Sequence, residues 1–200
     1  MTSKGISRNT ISDLSYAAVF AALIIVLAFV AIPVGAAGVP IVLQNAAIIL
    51  AGLVLGPRRG FYTAGIFFLL GLVLPVLAGG RTILAALAGP TSGYIVGYLI
   101  SAVVAGFIAY LAPKAGETTR ALLLALASII GLLIQYGCGT VGLILRAGME
   151  VPQALAVQLP FILPDLGKLV VMVLVALALH KAFPQLRQRP KAAAAAFATN

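Results

Sequence analysis

Long apolar runs, parted by short clusters of glycine, proline and charge, make up almost the whole chain. A membrane-spanning helix needs about 20 apolar residues, and the runs predict six. Helix 1 covers residues 12–32 and ends at Pro33. The uncharged segment 34–42, with two glycines and a proline, predicts a bend or a re-entrant loop. Helix 2 covers 43–55 and stops at Gly56-Pro57, and helix 3 covers 60–77. A turn at Gly79-Gly80-Arg81 leads to a short apolar segment, 82–88. Helices 4 and 5 cover 91–111 and 121–145. A polar loop at 146–159 precedes helix 6, residues 164–183. There Pro164 suits a first turn, and Asp165 beside it complements the helix dipole. The tail 184–200 reads as a mobile end.

Composition fixes the class. The chain is 62% hydrophobic and 8% charged, with a mean hydropathy of +1.17, whereas a soluble domain carries about 25% charged residues. The prediction is an all-α membrane protein: one six-helix transmembrane domain over residues 1–200, with no room for a soluble catalytic domain. Residues 16–32 exceed the apolar core of a signal peptide, about 7–15 residues, so they read as a retained first helix.

The net charge of +9 does not point to nucleic acid, because the basic residues sit at the ends of apolar runs. They report topology instead. With six spans, ten of the thirteen basic residues fall on one side: Lys4, Arg8, Arg58, Arg59, Lys114, Arg120, Lys181, Arg187, Arg189 and Lys191. By the positive-inside rule that side is cytoplasmic. Both termini, residues 1–11 and 184–200, then lie inside a cell membrane crossed several times. The exceptions are Arg81, Arg146 and Lys168. Glu150, four residues after Arg146, offers it an ion-pair partner.

Asp165 and Lys168 lie three apart within an apolar run and so share one helix face. Each charge costs about 2.5–3.5 kcal/mol to insert. Such a pair is either a structural ion pair or faces a ligand or ion site. The predicted outer half gathers further polar groups: Gln44 and Asn45 on helix 2, Arg81, then Thr91, Ser92 and Tyr94 on helix 4. Gln135 and Tyr136 on helix 5 reach toward the same space. Converging polar groups in an apolar bundle suit a small-ligand pocket. Thr91 and Ser92 are equally good helix caps, and Tyr94 an interfacial anchor.

On helix 1, Ala17, Ala18, Ala21 and Ala22 form two overlaid small-xxx-small spacings that admit a close partner helix. Enzyme motifs are missing. Gly167-Lys168-Leu169 lacks the elements of a nucleotide loop, His180 stands alone, and Asp165 is the one carboxylate expected at membrane depth. Neither a metal nor a cofactor is expected. An intramembrane lipid enzyme lacks a nucleophile–base pair, and an ion path lacks polar residues in the inner halves of the helices.

Three blocks carry a resemblance: Val39-Pro40-Ile-Val-Leu-Gln44-Asn45, Gly89-Pro90-Thr91-Ser92-Gly93-Tyr94 and Pro164-Asp165-Leu-Gly-Lys168. Together they resemble the signatures of the BioY family, the biotin-specific S-components of energy-coupling-factor (ECF) transporters, over about residues 10–185. The resemblance implies a six-helix bundle, a high-affinity biotin pocket facing outward, and docking onto a transmembrane coupling subunit with two ATPase subunits. It also implies that the helix 1 alanines form the docking surface. An S-component for another vitamin is the alternative. With biotin, Asp165 accepts from the ureido N–H groups, Lys168 donates to the ureido oxygen or keeps Asp165 ionised, and Arg81 receives the carboxylate.

Overall fold

The computed structural model describes residues 8–32, 39–112 and 116–187. Its elements are α1 (Arg8–Val26), a 3-10 turn (Leu27–Phe29), β1 (Ala31–Ile32), β2 (Ile41–Val42), α2 (Gln44–Val73), α3 (Ile83–Ala88), α4 (Ser92–Ala109), α5 (Glu117–Ala147), α6 (Val151–Ala156), α7 (Leu159–Ala182) and a closing 3-10 turn (Pro184–Arg187). β1 and β2 pair antiparallel, Ala31 with Val42 and Ile32 with Ile41. The predicted bend at 34–42 falls largely on residues 33–38, outside the described residues, as do residues 188–200 of the tail.

α2 is two helices in one. Gly56 has φ 82° and ψ 177°, a backbone region that side-chain-bearing residues avoid. Pro57 then opens the second half with the fixed φ that suits a helix start. The chain reverses there: a Cβ built on Gly60 would lie 3.2 Å from the Gly52 Cα. In a continuous helix those residues stand about 12 Å apart. Counting each half gives six membrane helices among the described residues: α1, the two halves of α2, α4, α5 and α7. Among the described residues, four stretches are long and apolar enough by themselves to cross a membrane: Thr10–Phe29, Ser92–Ala109, Glu117–Ala147 and Val151–Ala182.

α4 sits at the centre, against both halves of α2 on one side and α5 on the other. The core is built on Ile24, Ile48, Ile49, Leu53, Phe67, Ile83 and Leu124, all fully buried. Exposed large apolar residues such as Val73, Leu145 and Leu163 cover the outside, as a lipid-facing surface requires.

Several boundaries differ from the sequence reading. Helix 1 ends at Val26 because the chain turns through the 3-10 segment into β1. The 146–159 loop contains α6, and α7 begins at Leu159, so Pro164 lies inside it. At the sixth position of the helix, Pro164 forfeits only the hydrogen bond to the Pro160 carbonyl. Asp165 is therefore past the first turn, and hydrogen bonds rather than the helix dipole hold it. A second buried carboxylate also exists. Asp13 on α1 is 2% exposed and pairs with Arg59 at 2.6 Å, at the end of the bundle away from Asp165.

Candidate solute-binding cleft

At the end of the bundle where α4 begins and α5 finishes, the helices part around an open-mouthed cleft with about 60 Å³ of water-accessible space inside it. The Asp165–Lys168 pair forms one wall. Lys168 Nζ donates to Asp165 Oδ1 at 2.6 Å, to the Val42 carbonyl at 2.7 Å and to Asn45 Oδ1 at 3.1 Å. An ammonium has three donors, and all three are spent on the protein. Asp165 also accepts from Tyr136 OH at 2.6 Å and from Asn45 Nδ2 at 3.2 Å. The same amide reaches Asp165 Oδ2 at 3.4 Å, so three donor groups share the carboxylate's acceptor positions, about four in all. Asn45 Nδ2 retains its second N–H.

The other helices supply the remaining walls. Gln135 Nε2 donates to the Asn45 carbonyl at 3.1 Å and to Ser101 Oγ at 2.9 Å, bracing the start of α2. Gln44 points inward and uses both amide hydrogens on backbone, Ile24 O at 3.0 Å and Val76 O at 2.8 Å. Tyr94 OH donates to Gln158 Oε1 at 2.8 Å. Thr91 is 5% exposed and makes no side-chain cap, and its buried Oγ1 has no partner among the described residues. An unmet buried hydroxyl on a cleft wall is a group in want of a ligand.

Arg81 stands at the end of a hairpin closed by Leu77 N–H to Arg81 O at 3.0 Å. Gly79 and Gly80 have φ of 73° and 69°, which only glycine adopts without strain. Among the described residues the Arg81 guanidinium has no ion-pair partner. The lining thus holds two cations and one carboxylate, an excess of one positive charge.

Nine of the ten anticipated residues meet here: Gln44, Asn45, Arg81, Thr91, Tyr94, Gln135, Tyr136, Asp165 and Lys168. Ser92 does not. It is buried one residue further along α4 and faces Gly142 of α5, because successive helical residues point about 100° apart. Tyr98, Phe161 and the carbonyl of Val42 were not foreseen. Tyr98 follows Tyr94 by one helical turn, a spacing that marks it as a wall residue. The alanines of α1 also divide. Ala17 and Ala21 are fully buried against the bundle, and only Ala18 and Ala22 face outward. Residues one apart on a helix cannot share a face.

Fold and site define a helical membrane protein with a charged cleft at one end, built from the starts of α2 and α4, the middle of α5 and the second turn of α7. The model of the BioY family matches residues 1–185, and the chain belongs to that family. The biotin transporter BioY of Rhodobacter capsulatus is 42% identical over 173 residues, covering 78% of this chain and 87% of the relative. The biotin transporter BioY of Rhizobium etli is 37% identical over 183 residues, covering 88% and 97%. A solved S-component for biotin from an ECF-type ABC transporter superposes with a TM-score of 0.78 at 31% identity, covering 88% of this chain and 95% of that one.

Proposed function

We propose that this chain is the biotin-binding subunit of an ECF transporter, taking the vitamin into its cleft from outside the cell. The carrying observation is the charge count of the lining, one positive in excess, which a ligand bearing one carboxylate neutralises. Biotin pairs that carboxylate with a flat ureido ring of two N–H donors and one carbonyl acceptor. Asp165 Oδ2 accepts a ureido N–H in place of the long 3.4 Å Asn45 contact, the second N–H of Asn45 donates to the ureido oxygen, and Thr91 Oγ1 gains its missing partner. Lys168, with no donor to spare, serves by pairing with Asp165 and fixing its carboxylate in place. Arg81 takes the carboxylate.

The termini lie in the cytoplasm and the cleft faces outward, as the basic residues at the opposite end support. Calorimetric titration of the purified subunit tests the reading. Biotin binds below micromolar while riboflavin, thiamine and lipoic acid do not. A silent biotin titration refutes the assignment.

The exposed face of α1 receives the transmembrane coupling subunit, which brings two ATPase subunits. Ala18 and Ala22 lie four apart on that face and leave room for a close helix. Ala22→Leu is expected to leave biotin titration of the isolated subunit unchanged and to cut module-driven uptake in cells by about tenfold, the weight of one misfit contact. Normal uptake by this variant would place the docking surface elsewhere.

A further inference from the structure

On the far side of α4 from the cleft, between α4 and α5, runs an open apolar groove of about 780 Å³. Its walls are Leu87, Val96, Ile100, Ile134, Val141 and Leu145. The groove exists because α4 and α5 touch through glycine. A Cβ on Gly93 would come 1.8 Å from the Cys138 carbonyl oxygen, while one on Gly137 would meet nothing within 4 Å. The thirteen residues from Ile134 to Arg146 span about 18 Å of helix. That is close to one leaflet of a hydrocarbon core about 30 Å thick.

Arg146 stands at the end of the groove, exposed, at the same end of the molecule as the cleft. The pairing with Glu150 that the spacing suggests does not form: among the described residues Arg146 makes no ion pair. The Glu150 backbone N–H instead meets Gln153 Oε1 at 3.4 Å, at the start of α6. A leaflet-long apolar channel ending in an unpaired cation has the chemistry of a lipid with an anionic headgroup. We propose that this groove holds one anionic phospholipid, its acyl chain laid between α4 and α5 and its phosphate on Arg146. A second copy of the chain suits the groove poorly. A twofold axis along the membrane normal would set a second Arg146 at the same depth, like charge against like.

Native mass spectrometry of the full chain in mild detergent tests this, with phosphatidylglycerol and phosphatidylcholine added at equal concentration. The wild-type chain is expected to retain phosphatidylglycerol about fivefold over phosphatidylcholine, the weight of one surface cation. Arg146→Gln should bring the two to parity. Gly137→Leu, which fills the open floor, should lose both adducts with helix content unchanged by circular dichroism. Equal retention by the wild-type chain overturns the proposal, as does a phosphatidylglycerol preference that survives Arg146→Gln. Undiminished adducts in a folded Gly137→Leu chain, or a dimer that this variant abolishes, would also overturn it. Should Gly137→Leu fail to fold, the Arg146→Gln comparison decides alone.

Discussion

Asp165→Asn is expected to weaken biotin binding by at least about 100-fold and to lower the thermal stability of the subunit. The carboxylate is 1% exposed and is approached only by donors: the Lys168 ammonium, the Tyr136 hydroxyl and the Asn45 amide. An asparagine must aim its own N–H₂ at one of them, whichever way it turns. It also leaves Lys168 as a buried charge without a counterion, and breaking such a pair costs about 3–5 kcal/mol. That loss is shared between fold and ligand, so two measurements separate the shares. Calorimetry reads the affinity, and thermal unfolding in detergent reads the stability. The double variant Asp165→Asn/Lys168→Met removes both charges and should recover most of the stability without recovering the binding. If the double variant binds biotin within threefold of wild type, the pair is structural and the proposed ureido contact is wrong.

Arg81→Ala is the second large effect, and its signature is selectivity. The guanidinium has no protein partner among the described residues and stands on a hairpin whose two glycines hold it at the cleft mouth. A bidentate contact to a carboxylate comprises two charge-assisted hydrogen bonds, each about 1.5–3 kcal/mol. Solvent at the mouth reduces that sum, and about 3 kcal/mol, roughly 100-fold in affinity, is expected for the acid. Biotin amide, which lacks the charge, should bind wild type and variant alike. Titrating both ligands against both proteins gives a double-mutant cycle. Equal losses for acid and amide would remove Arg81 from the carboxylate end.

Most of the architecture was legible because the bilayer imposes a length on every helix. The break at Gly56-Pro57 showed in sequence, and the structure supplies the reversal that turns one long α2 into two spans. Boundaries failed where backbone did something local. Pro164 looked like a helix start and instead sits in the second turn of α7, since one lost hydrogen bond is a small cost there. The cleft was legible as chemistry rather than as geometry. Charged and amide side chains in apolar runs announced themselves, and six of them converge. Which of them point at a ligand was not legible. Lys168 and Gln44 spend their donors on oxygens of the protein itself, whereas Thr91 and Arg81 keep theirs open, and only coordinates distinguish these cases. Ser92 and the pair Ala17 and Ala21 were misplaced by a single step along a helix, a rotation that composition cannot resolve.

One amide ties together parts of the molecule that have separate duties. Both hydrogens of Gln44 Nε2 are committed, one to α1 and the other to the strap that leads into the Arg81 hairpin. Each bond is worth about 1 kcal/mol, and more if left unmet in a dry interior. Replacing that one amide would therefore loosen α1 and the rim of the vestibule together.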